Sequence, residues 1–296
     1  MPTFDRLSTG VPGLDAMLGG GLLPGTLTVA VGATGIGKTQ LGVQFNAAGS
    51  QQEGRRGIIY DMSCRGDTQS HADYALRMRG WQLIVVDPSK SPQLDGFYDP
   101  GREIGDYLHV FDIHGRRVTR ADMGFEAWQG WEAEIARKMD ASIGFFYGNF
   151  VRGTRRAVID GIEPVEKPSE SIQFELFEYI YRQILRKDAE WVARDLFRQR
   201  YREHAAEAAS HAYDPGEIGC LLLVTSAEAM LDDLIGRPLD EGDVLSNANT
   251  ILYLGKVRDG SRLGRAIYVA KHRGSRASDE IVPYTIDDAG LHVEPR

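Results

Sequence analysis

Strand and helix patterns alternate along most of this chain, a glycine-rich loop sits between a strand and a helix, and hairpin signals are confined to its C-terminal part. Together these predict an α/β fold, a mostly parallel central sheet sandwiched by helices with a C-terminal antiparallel β extension. The length of 296 residues, with 42% hydrophobic and 26% charged side chains, allows one large domain or two small ones and excludes a disordered chain. Thirty-four basic against 42 acidic residues give a formal charge of -8, so no global positive field exists to hold a nucleic-acid backbone. Two cysteines, Cys64 and Cys220, exclude a disulfide framework or a Cys-rich metal site and fit a reducing, cytoplasmic setting. No leader-like N-terminus and no apolar run long enough to span a bilayer are visible, so no membrane association is expected.

The elements follow from periodicity. Leu27 to Val31 reads as a buried strand, and Leu41, Phe45 and Ala48 fall at helical spacing in the segment after it, which Gly49 closes. A β-branched run ending near Cys64 is a second strand, followed by a helix over Thr68 to Arg79. Strand candidates then end at Asp87, Asp112 and Asp160, with a helix over Phe125 to Met139 between the last two. Ser169 is a candidate N-cap for a helix carrying Ile172, Leu176, Ile180 and Ile184. One Arg- and Glu-rich surface helix is expected from Asp188 to about Ala212, then an apolar strand from Ile218 to Ser226. Arg258 to Ser261 and Asp287 to Gly290 are hairpin turns.

Gly32-Ala33-Thr34-Gly35-Ile36-Gly37-Lys38-Thr39 matches G-x-x-x-x-G-K-[ST] in the strand-to-helix context that a phosphate-binding loop requires. Glycines let backbone N–H groups turn onto phosphates, and the helix N-terminus adds partial positive charge. Lys38 is assigned to the β- and γ-phosphates of ATP and Thr39 to Mg²⁺, with Gln40 beside them. The metal also needs a carboxylate at a strand end. Asp160 is favoured because Ala157-Val158-Ile159 is the most continuous buried run, with Asp87 and Asp112 as the alternatives.

Arg6-Leu7-Ser8-Thr9-Gly10, Gly13-Leu14-Asp15, Leu18-Gly19-Gly20-Gly21 and Pro24-Gly25 ahead of that loop resemble the KaiC and RadA branch of RecA-like P-loop ATPases. Gln40 is more like RadA, whereas Lys271-His272-Arg273-Gly274-Ser275 looks like the K-x-R-G-S segment of KaiC-type domains. The resemblance spans a single ATPase domain over residues 1–296, apart from unmatched insertions at about 89–152 and 187–215. It implies a RecA-like core, ATP at a subunit interface, and a homo-oligomer, a hexameric ring or a filament. It also implies that Lys271 and Arg273 reach the γ-phosphate of a neighbouring protomer. One departure stands out: both families carry a water-positioning Glu after the second strand, where this chain has Ser63. Asp61 and Asp67 are the substitutes for that role.

Three functions follow. The leading one is a Mg-dependent ATPase working as an oligomer in signalling or regulation. The alternative, favoured by Ser63, is a nucleotide-gated interaction protein with little or no hydrolysis and an unidentified protein partner. A DNA-binding recombinase or repair protein is disfavoured: Ser226 to Ala248 carries six acids against Arg237 alone, which repels phosphate. Arg152, Arg155 and Arg156, with Arg116, Arg117 and Arg120, are the basic clusters that could compensate. The seven histidines form no pattern specific enough for a metal site and are expected at the surface or at caps.

Overall fold

A computed structural model describes residues 6–63, 71–111, 125–164, 171–237, 244–274 and 276–294. The chain enters through α1 (Pro12–Met17) and reaches β1 (Leu27–Gly32), whose six residues are all buried. The phosphate-type loop leads into α2 (Lys38–Gln52), then β2 (Ile58–Asp61), α3 (His71–Arg79), β3 (Val85–Val86) and β4 (Tyr107–His109). After α4 (Phe125–Phe150) come β5 (Arg156–Ile162), α5 (Ile172–Ile180), α6 (Ala189–Phe197) and α7 (Tyr201–Ser210). β6 (Gly219–Thr225), α8 (Leu231–Gly236) and α9 (Val244–Asn247) precede β7 (Thr250–Asp259), β8 (Arg262–His272), β9 (Val282–Asp287) and β10 (Gly290–Val293).

The described strands form one sheet in the order β10-β9-β8-β7-β1-β6-β5-β2-β4-β3. Every pair from β7 across to β3 is parallel, and β8, β9 and β10 add antiparallel. This is the predicted α/β sheet with its C-terminal extension, and it is consistent with a RecA-like core. Leu27, Val29 and Val31 of β1 face a core built with α4, α5 and α6, while Ala30 faces a second core with α1 and α2. Strand periodicity therefore persists inside a sheet buried on both sides.

Some boundaries differ from the expectations. α4 continues through Phe150, because Phe145, Phe146, Tyr147 and Phe150 bury against the sheet rather than ending the helix at Met139. The helix expected from Asp188 to Ala212 is two, broken at Arg198, whose φ of 49° lies in the left-handed region that an α-helix does not use. Ser171, not Ser169, caps α5, its hydroxyl accepting from the Phe174 N–H. β3 is a two-residue edge strand rather than the full apolar run ending at Asp87. Both C-terminal hairpins form as expected. Cys64, Asp67, Asp112, Ser169, Arg116, Arg117, Arg120 and Ser275 lie outside the described residues.

The N-terminal motif is a knot of hydrogen bonds. Asp15 accepts from the Ser8 hydroxyl at 2.5 Å, the Thr9 N–H at 2.6 Å and the Thr9 hydroxyl at 2.7 Å. Arg6 donates to the carbonyls of Leu18 and Gly21. At the start of β5, Arg156 is fully buried and donates to Glu53 at 2.8 and 2.7 Å, to Gln52, and to the carbonyls of Ser8 and Phe45. One guanidinium thus ties β5, α2 and the N-terminal knot together, using the fork geometry that lysine lacks. Arg156→Met leaves the Glu53 carboxylate and two carbonyls buried without their donor. The expected loss is about 3–5 kcal/mol in urea unfolding; a loss below about 1 kcal/mol would show that the knot is dispensable.

Candidate functional site

In a parallel sheet the carboxyl ends of all strands open on one edge, where α/β proteins place their ligands. Here that edge holds a cavity of about 480 Å³, a ligand-sized space, lined by Thr34, Gly35, Gly37, Lys38, Thr39 and Gln40 on one side. Asp61, Ser63, His71, Tyr107, His109, Asp160 and Glu163 face them. The structure therefore brings together the loop residues, Asp61 and Asp160, which are distant in sequence.

Gly37 makes the loop-to-helix transition at φ 109°, a conformation that a side chain would strain. Lys38 is buried and its Nζ donates to the carbonyls of Gly32 at 2.8 Å and Ala33 at 3.0 Å, so the ammonium is folded against the loop. Tyr284 on β9 donates to the Ile36 carbonyl at 2.6 Å and braces the loop from the antiparallel extension. Thr39 is the second residue of α2, and its hydroxyl lies 3.3 Å from Asp160 Oδ2.

Asp61 and Asp160 occupy paired positions on β2 and β5. His71, the first residue of α3, stands against both carboxylates, its Nε2 3.0 Å from Asp160 Oδ2 and its Nδ1 3.3 Å from Asp61 Oδ2. Asp61 also accepts from the Tyr107 hydroxyl at 2.7 Å and the Ser63 N–H at 2.8 Å. Burial opposes charge on Asp61, but the charge and hydrogen bond of His71, then His109 and the Tyr107 hydrogen bond, hold its carboxyl well below the ordinary carboxylate range. Burial likewise lowers the His71 pKa, and the charge of Asp61 with hydrogen bonds to Asp160 and Asp61 overcomes it, pushing the imidazole up to about 10. His71 is thus neither a surface nor a capping histidine. Its role was hidden in sequence because its partners lie 10 and 89 residues away.

Glu163 was also missed. It follows β5 after a register shift between Asp160 and Ile162, is buried, and turns onto the same cavity. Gly161, at φ 109°, makes this turn; a Cβ there would meet Ser63 N at 2.3 Å. A strand ending in Asp-Gly is the sequence signal that could have pointed to it.

Lys271 and Arg273 lie at the other end of the sheet. Lys271 donates to the Ser246 carbonyl at 3.0 Å, and the Arg273 N–H to Asn249 O, whose own N–H reaches Leu27 O. From Leu27 to Gly32 the rise along β1 is roughly 16 Å, so these cations do not line their own chain's cavity. Arg152, Arg155 and Arg156 form no basic surface: Arg152 is held by the Phe97 carbonyl, Arg155 pairs with Glu217, and Arg156 is buried.

The donor set suits a magnesium nucleotide. Backbone amides and Lys38 match phosphate, while the Thr39 hydroxyl and Asp160 carboxylate are the hard oxygens that Mg²⁺ prefers. Among the described residues no cluster of three or more His, Cys, Asp or Glu is arranged to hold a metal by itself, so such an ion draws further ligands from phosphate and water. No helix among them is long and apolar enough to cross a membrane.

Comparison with known proteins gives the same answer from another direction. Residues 7–82 match the family model of the KaiC ATPase. Circadian clock protein KaiC2 of Synechocystis is 25% identical over 293 residues, 98% of this chain and 40% of that protein. Circadian clock oscillator protein KaiC of Thermostichus vulcanus is 46% identical over 55 residues, 19% of this chain and 10% of the relative. The chain thus spans about two fifths of the longer-matching relative's length. The motif and the mostly parallel sheet agree with this similarity to KaiC-type ATPases, whose family model matches residues 7–82.

Proposed function

We propose that this chain binds Mg-ATP in the cavity beside Gly32 to Gln40 and works as an oligomeric ATPase in signalling or regulation, with residues 1–296 acting as one domain. The observation that carries this reading is the convergence of Lys38, Thr39 and Asp160 on one ligand-sized cavity at the carboxyl edge of the sheet. The amides of Gly32 to Thr39 and the Lys38 ammonium hold the phosphates, and Thr39 with Asp160 holds Mg²⁺, which supplies charge neutralisation when bound.

Three described carboxylates line the cavity. Asp61 is committed to Ser63, Tyr107 and His71, and Asp160 to Thr39 and His71. Glu163, buried on the wall of the same cavity, is assigned to accept the proton of the attacking water, a task that Ser63 cannot perform and that Asp61, with its depressed basicity, performs poorly. Asp67, the other substitute, lies outside the described residues. Lys271 and Arg273 serve a phosphate only on another copy of the chain, which supports a homo-oligomer with the nucleotide at the subunit interface.

Ser63 on the cavity wall supports the second reading, a nucleotide-gated partner-binding protein with slow turnover. In either case the segments at 89–152 and 187–215 are the surfaces on which a protein partner would act. DNA remains disfavoured, since Arg156 is buried, Arg152 is held by the Phe97 carbonyl and Arg155 is paired with Glu217 at the surface.

Steady-state Mg-ATP hydrolysis tests this. Lys38→Ala should weaken ATP binding by about tenfold or more and abolish turnover. Glu163→Gln should keep binding while lowering turnover by about a hundredfold. If Glu163→Gln hydrolyses at the wild-type rate, the base lies elsewhere; if the wild type binds ATP without turnover, the gating reading stands. A Lys38→Ala protein and a Lys271→Ala/Arg273→Ala protein, each inactive alone, should recover turnover when mixed. Failure of wild type and mixtures to assemble with ATP would remove the assignment of the two cations across an interface.

A further inference from the structure

The antiparallel extension meets the phosphate-type loop through one polar contact and one apolar contact. The Tyr284 hydroxyl donates to the Ile36 carbonyl at 2.6 Å, and both residues are buried. Beside them, Ile286 and Leu291 fill the space in front of Gly37, where a Cβ would lie 2.7 Å from a methyl carbon of each. The extension is also fastened to α2, the helix that the loop opens. The Gln44 side chain donates to the Leu291 carbonyl at 3.0 Å and accepts from the Leu291 N–H at 2.7 Å. Tyr284 thus reaches the loop from a strand pair held on the same helix.

The peptide that Tyr284 holds has a direction that matters to an anion. A trans peptide is planar, with its carbonyl oxygen and its N–H on opposite sides. Holding the Ile36 oxygen toward β9 therefore turns the Gly37 N–H away from β9, and Gly37 lines the cavity. Rotation of this plane changes ψ of Ile36 and φ of Gly37 together, and a residue without a Cβ admits both orientations. In one of them an N–H faces a bound phosphate; in the other a carbonyl oxygen does, which repels it. We propose that Tyr284 is a positioning residue that selects the first orientation, so that the Gly37 N–H is aimed at the phosphate chain before nucleotide arrives. This rests on the Mg-ATP reading of the cavity and deepens it, because the antiparallel extension becomes part of the phosphate site. By linkage, bound phosphate in turn strengthens the hold of Tyr284 on the loop.

The test uses the full chain as wild type and as Tyr284→Phe, which removes the hydroxyl and keeps the ring. Tyr268→Phe makes the same deletion on β8 against the other core, and serves as the control. One readout is the dissociation constant of a fluorescent methylanthraniloyl ATP with Mg²⁺. The other is NMR of protein labelled with ¹³C at the isoleucine carbonyls and ¹⁵N in glycine, in which five Ile-Gly peptides, Ile36-Gly37 among them, give a signal. Ile36→Val identifies the Ile36-Gly37 signal by losing it. Tyr284→Phe should weaken binding of the analogue by about tenfold. It should also move the Ile36-Gly37 signal in the nucleotide-free protein while the other four stay in place, and saturating Mg-ATP should return that signal toward its wild-type bound position. Tyr268→Phe should change neither readout. Wild-type affinity in Tyr284→Phe, an unmoved Ile36-Gly37 signal, or an equal loss in Tyr268→Phe overturns the proposal and leaves Tyr284 a packing residue of the extension. A wild type that binds no nucleotide analogue overturns the Mg-ATP reading instead, and the NMR signal still decides whether Tyr284 holds the peptide.

Discussion

Two acids that share one register position on neighbouring parallel strands set the conditions for everything at the carboxyl edge of this sheet. Asp61 and Asp160 pair across β2 and β5, strands about 4.8 Å apart, and both are buried. Left alone, such a pair would push one carboxyl toward its neutral form. The surroundings instead offer both acids polar partners: Tyr107 and the Ser63 N–H donate to Asp61, Thr39 lies beside Asp160, and His71 stands between them. Each of these donors comes from a different strand end, helix start or loop. The pair of acids thus gathers His71 of α3, the first residue of β4 and the first turn of α2 at one strand edge.

The opposite end of β5 solves a related problem with the charges reversed. Arg156, inside the protein, is surrounded by Glu53, Gln52 and two carbonyls, and it sits over the Phe45 ring at 4.8 Å. β5 therefore begins with a satisfied buried cation and approaches its end with a satisfied buried anion. Both connect to α2, one at its last turn through Glu53 and one at its first through Thr39. The strand and helix that would hold the metal and phosphates are locked in register at both ends. That matters for a site in which a shift of an ångström misplaces a reacting group.

Much of this was legible in the sequence because the signals are local. The loop from Gly32 to Thr39, the strand ending at Asp160 and the two C-terminal hairpins each announce themselves within ten residues or so. The mostly parallel sheet and its antiparallel C-terminal strands appear as expected. What could not be read depends on contacts between distant residues. Nothing around His71 distinguishes it from a surface histidine until β2 and β5 are paired. The break at Arg198 is invisible to periodicity because Phe197 and His204, stacked at 4.3 Å, keep an apolar stripe running through it. The end of α4 was set too early since the aromatics beyond Met139 read equally well as a strand.

Ser63 and Glu163 are best understood as one feature rather than two. Gly161 approaches the backbone of Met62 and Ser63 so closely that a Cβ would lie 2.4 Å from the Met62 carbonyl carbon. This contact lets β5 turn after Asp160 and brings Glu163 onto the cavity. Gln173 on α5 holds both sides, donating to the Met62 carbonyl at 2.9 Å while its amide oxygen faces the Glu163 N–H at 3.4 Å. Ser63 carries the smaller side chain at the end of β2, and the buried carboxylate beyond β5 comes from the neighbouring strand. A carboxylate positioned for proton transfer need only reach the right volume, not arrive from a particular strand. The missing glutamate in one segment therefore does not by itself argue for a missing activity, because the same fold admits an acid from the next strand end.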